Sequence, residues 1–413
     1  MANALELTDW LTMEGLRLLT NSLEVAPWFN TDYNSELTKE FPVGSTFRVP
    51  LPNSFLIRDG ATYTPGVIQD RHTTVVCDQM FGVDIEWDSV EQALSMPRSE
   101  ERIRRKVLKP AMAKIRQEID SRCANYATLN TPNVVGTLGT NPTTFDLVYG
   151  AADQRLIELA GQADDKAMIL SPSLARALRA GAVSYFNPAS EITRMWKKGA
   201  IGEANGFESY QSMSLYSHTA GTWAGTVETT AANQSGSSLV LTATTGDTFF
   251  PGNAFHIAGV YDVNPMTLRS TGTLKQFAVT NTSTVTAAAS SATITITPAI
   301  VGPGSPYQNV SALPAAGADL TLFPGTTSPN GKSGINSLAL TRDAFALVAV
   351  QLQNPKASSA EIVSQARDPE SGVAISFLRM FEPTARKWIN RFDLLMGFGL
   401  LYNDHAAVRV LGA

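Results

Sequence analysis

The sequence predicts an α+β protein that carries an inserted all-β module, and three observations support this fold class. An apolar stripe at helical spacing runs through residues 99–126. Residues 221–304 are rich in Thr, Ser and Ala, hold very few charges and contain short runs in which apolar and polar side chains alternate. Mixed helical and strand-like patterns flank that second segment. The chain therefore leaves its main body, forms a small barrel or sandwich, and returns.

Length and composition limit the class of protein. The 413 residues are enough for two or three structural units, and 44% hydrophobic with 17% charged residues is typical of a globular chain. A net charge of -5 argues against a protein whose main task is to grip nucleic acid through its phosphates. Cys77 and Cys123 predict neither a disulfide framework nor a zinc site. No stretch reaches the roughly 18 apolar residues of a membrane span, so we expect a chain that stays on the cytosolic side of any membrane.

The first elements are an arm and an extended loop. Residues 8–23 place leucines mostly at helical spacing behind a Thr-Asp start, which predicts an amphipathic helix within an N-terminal arm of residues 1–40. Residues 41–80 alternate in character and contain Pro and Gly turn signals. They predict an extended β-loop that is too polar to form a core by itself.

The strongest helical signal follows, within a peripheral domain predicted for residues 81–142. Apolar residues recur at every fourth position, which gives the helix one packing face. At about 1.5 Å per residue this spine helix would be roughly 40 Å long. Pro110 lies near its middle, where it removes a backbone donor and should bend the helix. The stripe consists of Ile103, Val107, Ala111, Ile115, Ile119 and Cys123, widened by Leu108 and Met112.

The rest of the chain alternates between helix and strand around the insertion. Residues 143–221 predict the first part of an axial domain, and residues 222–306 the inserted β-barrel, with apolar residues and threonines alternating over 292–297. Asp262, followed by Asn264 and Pro265, predicts a turn between two barrel strands. Residues 307–413 complete the axial domain and return to the peripheral domain.

No motif in the sequence indicates catalysis. Residues 325–333, GTTSPNGKS, resemble a phosphate-binding loop, but five residues separate the two glycines where that loop has four, which favours a surface turn. The four histidines lie far apart and lack the spacing of a metal site. Asp164 and Asp165 could be imagined as an acid/base pair, although adjacent carboxylates before a strand usually mark a solvated turn. We predict no enzyme activity, no cofactor and no metal.

A basic group lies on the predicted spine helix. It could contact nucleic acid, but the acidic total favours a solvated face or a charged contact between subunits. The group consists of Arg102, Arg104, Arg105, Lys106 and Lys109.

Several stretches, taken in order, carry a family resemblance. LTMEGLRLL, VGSTFRVPLP and FLIRDGATY look like an arm and loop, and VEQALSMPRSEERIRRKVLKPAMAKIRQEID looks like a spine helix. MILSPSLARAL looks like part of a central domain, AFHIAGVYDVNPMTLRSTGTLKQFAVT like an insertion and LALTRDAFALVAVQL like the return. Together they resemble the major capsid proteins of tailed phages with the Hong Kong 97 type fold. More narrowly, they resemble the coat proteins of short-tailed Salmonella-type phages, which carry an inserted β-barrel.

The resemblance implies a shell protein. Identical subunits would form pentamers and hexamers of an icosahedral capsid with a scaffolding protein and a portal protein, assembling in the host cytoplasm. The shell would expand as it encloses double-stranded DNA, and a decoration protein is a further candidate partner; no membrane is expected. The family engages its scaffolding protein partly by charge on the arm, which makes Asp9 and Glu14 candidates. Pro110 is the candidate hinge of the spine helix during expansion.

The resemblance also bears on contacts between subunits. We expect the arm and the loop to lie on neighbouring copies, because they have nothing to pack on in a monomer. In some relatives a loop lysine forms a covalent cross-link, but residues 44–80 contain no lysine, so we expect no such link. Two other classes stay open: a tail tube or other virion structural protein, and a small-ligand enzyme with a β-insertion.

Overall fold

Helices and strands of the computed structural model follow the predicted order. Helix α1 comprises residues 12–19. Short π-helical turns, Arg104–Leu108 and Asp146–Gly150, come before α2 and α3, and a 3-10 turn lies at Ala26–Trp28. The other helices are α2 Lys109–Asn130, α3 Ala151–Glu158 and α4 Pro172–Ala182. The structure describes residues 12–19, 23–32, 46–57, 60–61, 71–88, 104–161, 165–182, 202–323, 331–352, 361–368, 372–384, 387–402 and 404–413.

Strands make up most of the remaining described chain. None of the described helices has the length and apolar character needed to cross a membrane. The strands are β1 Thr46–Leu51, β2 Arg71–Asp88, β3 Val134–Gly136, β4 Lys166–Leu170, β5 Glu203–Ala204, β6 Phe207–Gln211, β7 Ser217–Thr219, β8 Val227–Thr229, β9 Gly236–Thr242, β10 Thr248–Phe249, β11 Ala254–Val263, β12 Ser270–Val279, β13 Val285–Thr286, β14 Ser291–Ile300, β15 Asp319–Leu322, β16 Ser333–Thr341, β17 Phe345–Val350, β18 Glu361–Arg367, β19 Ala374–Glu382, β20 Lys387–Leu400 and β21 Ala407–Leu411.

The chain forms two units, each assembled from separated segments. Unit 1 comprises Met1–Val49, His72–Cys123 and Ala346–Leu400. Unit 2 comprises Pro50–Arg71, Ala124–Phe345 and Leu401–Ala413. The predicted domain boundaries differ from this division, because the loop segment 50–71 and the end of α2 belong to unit 2.

In unit 1 the predicted stripe of the spine helix is its buried face. Ile115, Ile119 and Cys123 are at most 2% exposed. Helix α1 packs on the same helix, since a Cβ on Gly15 would lie 3.5 Å from the Met112 sulfur. This corrects the expectation that the arm has nothing to pack on within its own chain: Leu19 of α1 is fully buried.

A buried carboxylate ties the segment after α1 to the spine helix. Asp120 accepts hydrogen bonds from the backbone N–H groups of Val25, Ala26 and Glu24 at 3.0–3.1 Å. Arg116 adds an ion pair with Glu24 at 3.0 Å. Burial raises the pKa of Asp120, although the backbone N–H groups act in the opposite direction. This part of the predicted arm is therefore fixed within unit 1.

A six-stranded sheet follows the order β1-β2-β20-β19-β18, with β17 also paired to β20. The pairs β2–β20, β19–β20 and β18–β19 are antiparallel. Strand β2 runs past residue 80, where the extended loop was predicted to end. The reason is its register with β20, which continues from Val76↔Phe398 to Asp88↔Lys387. Partner strands that lie about 300 residues apart in sequence cannot be recognised from local alternation.

The main sheet of unit 2 has the order β3-β21-β16-β4-β6-β5, with β7 paired to β16. Helices α3 and α4 pack on it, because Leu156 and Leu174 share one buried cluster with Met168, Phe207 and Val410 of the strands. The mixed helix and strand pattern around the insertion thus corresponds to one sheet with helices packed on it.

The insertion is a closed barrel with strand order β11-β12-β14-β9-β8-β15. The alternation predicted over 292–297 is confirmed, since Ala292, Ile294 and Ile296 are at most 5% exposed and the intervening threonines are exposed. The barrel extends beyond the predicted boundary at residue 306, because β15 pairs with both β8 and β11 and so closes it. The mixed α+β class with an inserted barrel is confirmed.

Candidate functional site

The predicted extended loop presents three consecutive apolar side chains to solvent at residues 55–57, which we call the loop tip. Phe55, Leu56 and Ile57 are 58%, 52% and 89% exposed. The tip has no regular secondary structure over residues 52–57. Contiguous exposed apolar side chains of this kind mark surfaces that another molecule covers.

The same loop is anchored within unit 2 by one tyrosine. Tyr307 donates a hydrogen bond to the Asn53 side-chain oxygen at 3.2 Å and accepts one from the Ser54 N–H at 3.4 Å. The guanidinium of Arg71, the last residue of the loop segment 50–71 in unit 2, lies 3.9 Å from the centre of the Tyr307 ring. Tyr307 therefore holds both ends of the loop segment and leaves its apolar side chains exposed. Sequence reasoning missed it, because no local pattern links Tyr307 to residues more than 230 positions earlier.

The structure places part of the predicted basic group. Lys106 and Lys109 are exposed. Arg104 and Arg105 belong by their backbone to the π-helical turn, and their side chains lie outside the described part of the chain, as does all of Arg102.

Pro110 is exposed and occupies the second position of α2. The π-helical turn ends two residues before it, at Leu108, so the spine helix changes from π- to α-helical geometry just before Pro110. Single π-helical turns within longer helices are frequent at functional positions. The predicted hinge thus lies at a junction near the start of the regular α-helix and not in the middle of an unbroken one.

Of the two acidic candidates on the arm, only Glu14 lies within the described part of the chain. Asp9 lies outside the described residues. Glu14 is only 12% exposed at its side chain and forms an ion pair with Arg17 at 3.4 Å, whereas the Arg17 side chain is 63% exposed. The i,i+3 spacing of Glu14 and Arg17 was a signal for this pair in the sequence.

The histidines and the paired carboxylates do not converge on a chemical site. His218 is buried in β7, His256 is half-buried in β11, and His72 is exposed on β2. His405 pairs with Asp404 at 2.7 Å. Of the predicted carboxylates, Asp164 lies outside the described residues, as does most of the 325–333 loop. The described residues hold no group of side chains that could bind a metal ion.

A buried ionic cluster between the barrel and α3 was not foreseen. Asp262 is fully buried in β11 and accepts from Arg155 of α3 at 3.1 Å and from Lys275 of β12 at 3.0 Å. The prediction that Asp262 belongs to a turn is therefore wrong. The turn begins at Asn264, whose side chain accepts from the Met266 N–H at 3.0 Å. Nothing in the local sequence separates a turn aspartate from one that meets two distant cations.

The chain matches the model of a known protein family over most of its length. The model of the family described as "P22 coat protein - gene protein 5" matches residues 86–412. Comparison with curated protein sequences finds no match.

Several solved structures are similar to the chain. One is from Mycobacterium phage Che8, at 12% identity and a TM-score of 0.46, covering 95% of this chain and 93% of that one. Another is the capsid of Ralstonia phage GP4, at 7% identity and a TM-score of 0.46, covering 94% and 88%. The CUS-3 coat protein I-domain is 24% identical with a TM-score of 0.19, covering 24% of this chain and 95% of that domain.

Proposed function

The chain belongs to the P22 coat protein family and is a major capsid protein that forms a phage shell, and we propose that it does so around a scaffolding protein. It is a structural protein of the virion and not an enzyme. Its α+β fold with a closed barrel is consistent with the Hong Kong 97 type capsid fold. The shell assembles in the host cytoplasm, incorporates a portal protein, and is open to a decoration protein. The net charge of -5 keeps packaged DNA from adhering strongly to its wall.

The exposed tip of the extended loop supports this proposal most directly. Phe55, Leu56 and Ile57 have no cover among the described residues, although Tyr307 anchors the loop that bears them. A second copy of this chain is the occupant, because coat proteins of this family assemble with themselves. Many such modest contacts, repeated around a shell, give stability through multivalency while each remains reversible.

Electron microscopy of the purified chain with its scaffolding partner tests the proposal. We expect wild-type protein to form shells or ring-like capsomers, and the triple variant Phe55→Ser, Leu56→Ser, Ile57→Ser to remain unassembled while its circular dichroism stays unchanged. Met213→Ser, at a side chain that is 78% exposed, is the matched control and should assemble. Stacked tubes, or oligomers of a few subunits, would instead indicate a tail tube or an enzyme. Normal shells from the triple variant would reject the tip as a contact.

The scaffolding contact is assigned to the acidic charges of the arm, Asp9 and Glu14. Because Glu14 already pairs with Arg17, the two positions are tested separately and together. We expect Asp9→Lys with Glu14→Lys to lower co-assembly at low salt, where surface charges are least screened, and Asp9→Lys alone to account for most of the loss. Unchanged co-assembly of the double variant would show that the assignment is wrong.

Pro110 is the hinge at which the spine helix changes curvature during expansion. The change of helix type beside it supports this role, since the local hydrogen-bond pattern is already irregular there. Pro110→Ala restores a backbone donor and should slow or block expansion. Expansion at the wild-type rate, followed by light scattering, would discard the hinge.

The basic group on the spine helix contacts a neighbouring subunit or the packaged DNA. Lys106 and Lys109 are exposed, as either role requires. If the partner is a neighbouring subunit, Lys106→Glu with Lys109→Glu should lower the yield of shells. If the partner is DNA, the same double variant should form shells at normal yield that contain less DNA. Normal values for both would leave these lysines as solvated surface.

The mature shell is held together without covalent links through the extended loop. Residues 44–80 contain no lysine that could form one. Mature shells should therefore dissociate to single-chain bands in denaturing electrophoresis, and ladders of linked oligomers would contradict this.

A further inference from the structure

A small cavity lies within unit 2, next to the place where the chain enters the barrel. Its volume is about 10 Å³. Apolar side chains of Leu138, Phe323 and Leu411 form part of its wall, and His218 and Arg409 supply polar groups. None of the residues that line the cavity belongs to the loop tip, the arm or the basic group of the spine helix.

Arg409 is the charged group of this cavity. It lies in β21 between β16 and β3, and only 1% of it is exposed. Its Nη1 donates to the Gly252 carbonyl at 2.8 Å. Its Nε and Nη2 have no hydrogen-bond partner within the described part of the chain. Two nitrogen atoms of the guanidinium, with three N–H groups between them, are thus buried without an acceptor among the described residues.

No carboxylate compensates this charge in the cavity wall, whose residues include neither Asp nor Glu. Burial lowers the pKa of Arg409 to about 9. Burial also lowers the pKa of His218 to about 4, and the positive charge of Arg409 acts in the same direction. His218 is therefore neutral and adds no second cation. Within the described part of unit 2, the buried cations Arg155 and Lys275 by contrast share the carboxylate of Asp262.

Gly252 brings its carbonyl to Arg409. Its φ is +81°, and a Cβ at this position would lie 2.9 Å from Leu129 Cδ2 and 3.2 Å from His218 Cδ2. A side chain would therefore both strain the backbone and push against Leu129 and His218. The backbone is shaped to hold the guanidinium in place without neutralising it.

We propose that the cavity binds one monatomic anion of the size of chloride, held by Nε and Nη2 of Arg409. A buried charge needs a counter-charge, because a neutral acceptor satisfies hydrogen bonds but leaves the cost of burying the ion. The volume of about 10 Å³ is that of roughly one water-sized body, so the proposal commits to a single small anion and not to phosphate, sulfate or a carboxylate. The ion neutralises β21 of the main sheet where that strand meets the Gly252 turn.

The test is a chloride dependence of stability in the full-length chain. Urea unfolding is measured over a chloride series at constant ionic strength, with gluconate, which is too large for the cavity, as the replacing anion. Above the dissociation constant, each tenfold rise in chloride should raise the ratio of folded to unfolded protein about tenfold, because the ion binds the folded state alone. Gluconate should have no such effect.

Two variants separate the cavity from general salt effects. Arg409→Met keeps the length of the side chain and removes the charge, so its stability should not depend on chloride. Arg176→Met removes an arginine that is exposed on α4 and should keep the wild-type dependence. Equal responses to chloride and gluconate, or a wild-type chloride dependence in Arg409→Met, would overturn the proposal and indicate a water-filled cavity.

A second measurement covers the case in which Arg409→Met does not fold. The chlorine-35 NMR line of a solution of the wild-type chain should broaden and should narrow again when bromide competes for the cavity. A line that bromide does not affect would also overturn the proposal.

Discussion

The closed barrel and the open six-stranded sheet deal with strand edges in opposite ways. The barrel strands form a ring, and Phe255 and Phe277 face each other inside it at 1% and 0% exposure. Among the described strands the sheet ends at β1 and β18, and its β2 leaves Val76 and Met80 at 42% and 49% exposure. Unpaired edges and exposed apolar side chains are surfaces on which another chain can pair. The barrel is complete in one subunit, whereas the edges and exposed apolar side chains of the sheet are available for contacts with other subunits.

The largest expected effect comes from the barrel core. Phe255→Ala removes a buried ring whose centroid lies 5.9 Å from that of Phe277, and such truncations lower the free energy of unfolding by about 3–5 kcal/mol. Met80→Ala on the open sheet should change it by no more than about 0.5 kcal/mol. Urea unfolding of the full chain measures both. Equal losses would mean that the sheet is as complete within one subunit as the barrel.

The buried ionic cluster of the barrel provides a second, somewhat smaller contrast. Asp262→Asn leaves Arg155 and Lys275 buried without their carboxylate, which should lower the free energy of unfolding by about 3 kcal/mol. Glu86→Gln breaks the pair of β2 with Lys387, whose two side chains are 60% and 43% exposed, and should cost less than about 1 kcal/mol. Thermal unfolding compares the two. A small effect of Asp262→Asn would show that water reaches the cluster.

A pH dependence offers the third and smallest contrast. The pKa of His218 is about 4 in the folded chain and about 6.5 in an unfolded one. Between these values the unfolded chain binds a proton that the folded chain does not. The free energy of unfolding should therefore fall, by on the order of 2–3 kcal/mol, as the pH drops from about 6.5 to about 4.

The control for this prediction is a histidine on the open sheet. His218→Gln should remove the loss of stability that His218 causes in that range of pH. His72→Gln, at an exposed position of β2, should leave the pH profile as in the wild type. Identical slopes for the wild type and His218→Gln would contradict the assignment to His218.

Local periodicity was enough to predict elements that can be recognised without knowing which other segments they pack against. The spine-helix stripe and the alternation of β14 were legible because one buried face imposes a period of 3.6 or 2 on the sequence. The family resemblance rested on the order of such elements along the chain. Residues whose roles depend on a distant partner were missed, as Tyr307, Asp262 and Arg409 show.

The sequence by itself determined the buried stripe of the spine helix and where the charge-poor insertion lies. The tertiary structure decided how the pieces close. Strand β15 completes the barrel by pairing with β8 and β11, and Asp120 binds the segment that follows the arm helix. Arg409 is buried beside a cavity without a carboxylate. Barrel closure, charge pairing and burial all depend on contacts between residues that are remote in sequence. Local sequence patterns do not encode which remote residue a given side chain contacts.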